Sequence, residues 1–369
     1  MDIMEKIKSV DKNNMYQLIV SIPRELEKSF KKYSKLSLPR EIVISGVRRS
    51  IENIDKVVLI GMGGSAIGSD IIYYYLYDSL RLSVTIVRDF MIPGFIDENT
   101  LLISVSYSGE TNETLYASIE CIKRGVYPIF ITSNGTLEKL ARKINAPIYL
   151  LPKGRPPRTS IAYMISALLD IFNKIDIARF DEEELMDAVK YLENLVEKHT
   201  IFNEENVPLN IAKQLREKIP LIYAYKPYTP LGFRFKTQLN ENAKHHAFFA
   251  ELPEANHNEI MGWENELKGK YIPVLIRGSK ESSYIRVVID FWKEIFRDIG
   301  LDYIQIIGEG PNLLAELLSI LIICDLTSFL LAIIKGVDPT PVSTISRLKK
   351  YVEAETRLKE KIDRLINNL

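Results

Sequence analysis

Residues 56–70 read KVVLIGMGGSAIGSD: four apolar residues in a row (Val57, Val58, Leu59, Ile60), then Gly61, Gly63 and Gly64, then a helix-compatible run opening at Ser65. An unbroken apolar run of this length suits a parallel strand buried on both faces. The glycines let the backbone turn sharply and approach a ligand closely. A helix that starts straight after such a turn presents free N–H groups and the positive end of its dipole, so an anion is its natural guest. Two guests fit this stretch. One is a phosphorylated small molecule. The other is a nucleotide, because Gly61, Gly63 and Ala66 satisfy G-x-G-x-x-G/A and Asp89 follows the next expected strand, where a ribose-binding acid would stand. A tight turn with no ligand is the third reading, and the stretch alone leaves all three open.

The surrounding chain repeats the pattern. Short apolar runs at Val84–Val87, Leu101–Val105, Ile129–Ile131 and Pro147–Leu150 alternate with helical spacing over Ser65–Leu76, Thr111–Arg124 and Leu137–Lys143. Such βα alternation predicts a parallel sheet with helices on both faces. Gly154-Arg155-Pro156-Pro157-Arg158 interrupts it and Ser160–Ile175 resumes it as a helix. Residues 181–200 read as a solvated, connecting amphipathic helix. A second alternation then places strands at Leu221–Ala224, Tyr271–Ile276 and Tyr303–Ile307, with helices over Ser282–Ile299, 313–336 and 342–368. The fold class is therefore α/β, with two parallel-sheet domains. The expected boundaries are a helical segment over 1–40, a first domain over 41–178, a second over 179–340 and a closing helix over 341–369.

Composition narrows the function. The 48 basic and 48 acidic residues cancel, which gives no global pull toward nucleic acid or anionic lipid. Cys121 and Cys324 lie in apolar helical patterns and read as reduced core residues. The first residues, MDIMEKIKSVDKNN, mix charges and lack a signal-peptide pattern. The apolar run Leu313–Ile334 is long enough to span a bilayer, but Glu316 and Asp325 interrupt it, so a helix buried in the protein core is expected. The expected location is cytoplasmic.

In a parallel sheet, ligands bind beyond the carboxyl ends of the strands. Here those ends carry Gly63-Gly64-Ser65, then Ser106-Tyr107-Ser108-Gly109-Glu110-Thr111, then Thr132-Ser133-Asn134-Gly135. Each segment alone fits turn and capping chemistry. Two hydroxyl-rich segments at neighbouring strand ends, beside a glycine turn, favour a monophosphate held without a Walker lysine.

GGSAIGSD at 63–70 followed by SYSGETNETL at 106–115 resembles a sugar isomerase (SIS) domain. More closely, the chain resembles the archaeal-type bifunctional phosphoglucose/phosphomannose isomerases. The match continues through Pro157-Arg158 and through NENAK (240–244) and PEANHNEI (253–260), and so covers most of the chain. The resemblance implies two SIS-type α/β sandwich domains and a metal-independent aldose–ketose isomerase acting on glucose 6-phosphate and mannose 6-phosphate. It assigns Glu241 as the base and His257 as the ring-opening group, reaching the site from the partner subunit of a homodimer. Arg158 falls near the C1–C2 oxygens. Ser65, Ser106, Ser108 and Thr111 fall on the phosphate, with Gly63, Gly64 and Tyr107 shaping that loop. Pro157 and Thr340 fall on the sugar, Thr340 making room at C2 and C3 for the mannose epimer.

Each residue also has a plainer reading. By sequence alone Glu241 reads first as a helix-surface glutamate; His257 also reads as a surface partner of Glu259, Arg158 as a surface arginine, and Thr340 as a helix-start signal before Pro341. His245 and His246 have no assigned role. Three of the four histidines lie within 13 positions, but without a ligand spacing that aligns them on one face, and no metal is expected. A non-catalytic phosphosugar sensor is the alternative function. It calls for an attached nucleic-acid-binding element, and the sequence has no recognisable helix-turn-helix.

Overall fold

The computed structural model describes residues 2–264 and 269–369. It divides into two compact units, one running to Arg24 and resuming over Asp181–Pro341, the other comprising Glu25–Phe180 and Val342–Leu369. The N-terminal helical segment is thus split between the units rather than standing apart, and the division falls within its third helix.

Helices α1 (Ile3–Val10), α2 (Met15–Val20) and α3 (Ile22–Tyr33) open the chain. Strands β1 (Glu41–Ile44) and β2 (Val47–Ser50) follow as an antiparallel hairpin absent from the sequence reading. Its two-residue loop puts Ser45 and Gly46 at positive φ, the geometry that matches strand twist. Then come β3 (Lys56–Gly61), α4 (Gly64–Tyr75), β4 (Ser83–Val87), β5 (Thr100–Ser106), α5 (Asn112–Lys123), β6 (Tyr127–Thr132), α6 (Gly135–Lys143), β7 (Ile148–Leu150) and α7 (Ile161–Lys174). The five strands β3–β7 form a fully parallel sheet in the order β4-β3-β5-β6-β7. Strands β5 and β6 are buried along their whole length, which is why they read as continuous apolar runs. The chain winds outward in opposite directions from β3 and β5, so the crevice beyond their carboxyl ends is the binding position of this topology.

The other unit continues with α8 (Glu182–His199), α9 (Val207–Leu215), β8 (Ile219–Ala224), α10 (Thr229–Ala243), β9 (Phe248–Glu251), β10 (Tyr271–Arg277), α11 (Ser283–Asp298), β11 (Ile304–Ile307) and α12 (Leu313–Lys335). Its sheet, again all parallel, has the order β11-β10-β8-β9. Helix α12 is apolar all round and is this unit's core, packed by α1, α2, α8, α9 and α10. By length and hydropathy it passes as a membrane span, yet 94% of the qualifying window is buried inside the protein. Its two acids are paired: Glu316 accepts from the Tyr228 hydroxyl at 2.7 Å, and Asp325 from Arg234 at 2.6 and 3.0 Å.

Helix α8 is amphipathic as its spacing predicts, with Leu185, Ala188, Leu192 and His199 burying one face of it. One expectation needs correction. The closing helix is two, α13 (Ser343–Thr356) and α14 (Leu358–Asn367), broken at Arg357, whose φ of 47° is left-handed.

Candidate active site

Two clusters of expected site residues emerge, one in each unit. In the unit of the five-stranded sheet, β3 delivers the chain through Gly63, at φ 50°, into α4. Strand β5 delivers Ser106 and the loop that ends at Thr111, the residue before α5. Ser65 Oγ accepts a hydrogen bond from the Tyr107 N–H at 3.1 Å and so ties the two loops together. Ser108 Oγ accepts from the Glu110 N–H at 3.2 Å, and Thr111 Oγ1 accepts from the Ser106 hydroxyl at 3.1 Å. A hydroxyl that already accepts from the protein still holds one proton to donate. Among the described residues Ser65, Ser108 and Thr111 are all in this condition.

The helix ends agree. Neither α4 nor α5 has a side-chain cap. In α4 the Ser65 and Ala66 N–H groups donate back to the Met62 and Gly63 carbonyls at 3.0 and 3.1 Å, whereas the first N–H groups of α5, which have no partner within the helix, are left for a ligand or water. The neighbouring α6 is different. Glu110 Oε1 accepts from the Thr136 N–H at 2.8 Å and the Thr136 hydroxyl at 3.0 Å, so a carboxylate of the chain already occupies that end. Gly109 makes the loop possible. It has φ 64°, and a Cβ there would lie 1.9 Å from the Asn134 carbonyl oxygen.

Tyr107 is an anchor. Its buried phenol donates to the Pro152 carbonyl at 2.8 Å and accepts from the Arg155 N–H at 3.1 Å, while Arg155 pairs with Glu25 through two bonds of 2.9 and 3.0 Å. This fixes the segment leading to Pro157–Thr159, a single 3-10 turn. Arg158 is not a surface arginine: it is 3% exposed and its backbone abuts Gly64, where an added Cβ would lie 3.2 Å from the Arg158 Cα. The fold therefore brings Gly63, Gly64, Ser65, Ser106, Tyr107, Ser108, Thr111 and Arg158 to one place.

In the other unit Glu241 stands in the last turn of α10. Arg234, Gln238 and Asn242, spaced four apart, bind Asp325 and Ser328 of α12, the last two at 2.9 Å each. Glu241 is therefore on an adjoining face, partly exposed. Both asparagines of Asn240-Glu241-Asn242 are ties: Asn240 donates to the His245 carbonyl at 2.8 Å, and Asn242 to Ser328. Lys244, missed by the sequence reading, donates to the Glu241 carbonyl at 2.8 Å and to the Asp338 carbonyl at 2.9 Å. Thr340 stands in that same segment, its N–H held by the Asp338 carboxylate at 2.9 Å. It does not start a helix, because α13 begins only at Ser343.

His257 is not joined to Glu241. It is exposed at the end of a short 3-10 turn, Glu254–His257, which Trp292 Nε1 pins by donating to Asn256 at 2.8 Å. Glu259 is not its partner, for that carboxylate accepts from Tyr223 at 2.7 Å. His245 packs: its Nε2 lies 2.7 Å from the Lys218 carbonyl, and burial pushes its pKa down. His246 is exposed. Among the described residues no group of three His, Cys, Asp or Glu side chains is placed to hold a metal ion.

A parallel sheet whose switch-point loops offer hydroxyl protons beside an open helix end is a site suited to an anionic group. Residues 204–352 match the family model described as the bacterial phospho-glucose isomerase C-terminal SIS domain. The chain is 37% identical over 299 residues to a bifunctional phosphoglucose/phosphomannose isomerase of Aquifex aeolicus, covering 80% of this chain and 90% of that one. It is 30% identical over 340 residues to a protein of the same name from Caldicellulosiruptor bescii, covering 91% and 98%. A hypothetical protein from Thermus thermophilus shares the fold, with a TM-score of 0.71 at 14% identity over 96% of this chain and 93% of that one. The chain belongs to the family of bifunctional phosphoglucose/phosphomannose isomerases and is an enzyme, a sugar-phosphate isomerase.

Proposed function

We propose that this enzyme interconverts glucose 6-phosphate and mannose 6-phosphate with fructose 6-phosphate through a cis-enediol(ate), with no metal or nucleotide. The observation that carries the phosphate end is the set of three hydroxyls, Ser65, Ser108 and Thr111, each already accepting one bond from the chain and with its proton still to give, beside the N-terminal ends of α4 and α5, of which that of α5 is open. A phosphate monoester dianion takes several such bonds and gains from both dipoles. Held there, it supplies the remote binding energy that keeps a small open-chain sugar in register.

The chemistry then requires two protons to move, one between the carbons and one between their oxygens. Glu241 takes the C2 proton of the open-chain aldose while the C1 carbonyl oxygen takes up the electrons, the O2 hydroxyl proton passes to the adjacent O1, and as the carbonyl forms at C2 the same carboxyl returns its proton to C1 of the ketose. Arg158 stabilises the enediolate oxygens. His257, contributed by the partner subunit of a homodimer, opens and closes the ring, for which an imidazole titrates in a suitable range. The epimers differ only at C2, which is trigonal in the enediol. One base serves both if rotation about C2–C3 is allowed, and Thr340 sets that room.

The test is an assay with EDTA present, following fructose 6-phosphate formation from each aldose phosphate. Turnover of both supports the reading. Turnover of glucose 6-phosphate alone removes the role given to Thr340. Activity that EDTA abolishes overturns the metal-free mechanism.

A further inference from the structure

Helix α10 ends in an unusual concentration of positive charge aimed at backbone. Lys335 donates to the Ala243 carbonyl at 3.0 Å, and Lys244 to those of Glu241 at 2.8 Å and Asn242 at 3.4 Å. Terminal carbonyls have no partner within the helix, so an ammonium is a fitting cap. Two lysines are more than capping needs. The second set of contacts explains Lys244: the same ammonium donates to the Asp338 carbonyl at 2.9 Å and to the Pro339 carbonyl at 3.3 Å. Its two shortest bonds therefore go one to each segment, joining the turn that carries Glu241 to the segment that carries Thr340.

The backbone at Lys244 is adapted to this. Its φ of 47° and ψ of 46° are left-handed, a conformation that is strained for a non-glycine residue. Glycine is the usual residue at such a helix end, as Gly336 shows at the end of α12 with φ 70°. A lysine kept where glycine fits better is kept for its side chain. The partner segment is correspondingly short of freedom: Pro339 and Pro341 flank Thr340, and Asp338 folds back onto the Thr340 N–H. Once clamped at 338 and 339, the segment has little scope to move at 340.

We infer that Lys244 is a positioning residue for epimer discrimination: its ammonium sets the distance between the Glu241 turn and Thr340, and thereby the room at C2–C3 that mannose 6-phosphate requires. This rests on the roles of Glu241 and Thr340 proposed above. Lys244 does not touch the substrate in this account and moves no proton. A cap that served only stability would, when removed, lower turnover of both sugars by the same factor. A clamp that sets the sugar pocket changes their ratio.

The experiment measures kcat and KM for both aldose phosphates in wild type, Lys244→Met and Lys244→Arg. Methionine retains the length and the left-handed cost but loses the charge; arginine can still donate to both carbonyls. The expected result is a fall of at least fivefold in the mannose-to-glucose turnover ratio for Lys244→Met, restored to within twofold of wild type by Lys244→Arg. Equal losses on both sugars, or none on either, overturn the inference. Failure of the underlying reading is read separately: Glu241→Gln would then keep its turnover on both sugars, whatever Lys244→Met does.

Discussion

The phosphate loops can be tested one atom at a time. Thr111→Val keeps the shape and removes one donated proton. A hydrogen bond to a charged group is worth about 1.5–3 kcal/mol, so KM for either sugar phosphate should rise about 10- to 100-fold with a smaller change in kcat. Gly109→Ala acts through the backbone instead. Its Cβ would collide with the Asn134 carbonyl at 1.9 Å, so the loop must move and phosphate affinity should fall at least as far, as measured by calorimetry with inorganic phosphate. The sequence showed these hydroxyls clearly, since Ser and Thr cluster at strand ends. It did not show that Glu110 closes the end of α6 while that of α5 stays open. That depends on where one carboxylate turns, 26 residues along the chain from its partner.

Helix α10 was the element least visible in the sequence, for a definite reason. Its buried apolar residues Leu231, Phe235, Leu239 and Ala243 do recur every four positions, but the polar Arg234, Gln238 and Asn242 are buried beside them and Phe233 is 37% exposed, which blurs the contrast between faces that periodicity relies on. The buried ion pair to Asp325 should be costly to break from one side. Asp325→Ala strands the Arg234 guanidinium and should lower stability by about 3–5 kcal/mol in urea unfolding, with Asp325→Asn losing less. Helix α8 carries a pH dependence. Burial, with Lys198 nearby, pushes the buried His199 down to about 4 from an ordinary 6.5, so the folded protein keeps it neutral where the unfolded chain binds a proton. Stability from this group is complete above pH 6.5 and is lost as pH falls toward 4, by about 1–3 kcal/mol. Urea unfolding at pH 7.5 and 5.0 should show that drop in wild type and a flatter profile in His199→Gln. The break between α13 and α14 had no sequence signal either, because a left-handed Arg357 stands where glycine or proline would have announced it.

The two sheets share one order over four strands, β4-β3-β5-β6 in one unit and β9-β8-β10-β11 in the other, yet among the described residues their switch points differ. In the second unit the successive N–H groups of Gly278, Ser279 and Lys280 already donate to the Tyr225 hydroxyl, the Glu316 carboxylate and the Tyr228 hydroxyl, at 3.0–3.1 Å. Oxygens of the chain fill the place an anion would take. One sugar phosphate per chain is therefore the expected stoichiometry in a calorimetric titration, and two would contradict it. The alternation of strands and helices was legible because burial on both faces leaves an apolar run in sequence. The closure of the second switch point was not, because Glu316 reaches it from α12 and reads along the chain only as a charge interrupting a membrane-like run.

Everything in the proposed mechanism passes through one carboxyl group. The decisive comparison is wild type against Glu241→Gln, with turnover measured on glucose 6-phosphate and mannose 6-phosphate in EDTA and fructose 6-phosphate affinity measured by calorimetry on the same preparations. Turnover on both sugars should fall by about 100-fold or more, the contribution of a positioned base, while affinity stays within a few-fold because the phosphate loops are untouched. A glutamine variant that binds and still isomerises either sugar at a comparable rate would contradict the account, and the base would have to be sought elsewhere.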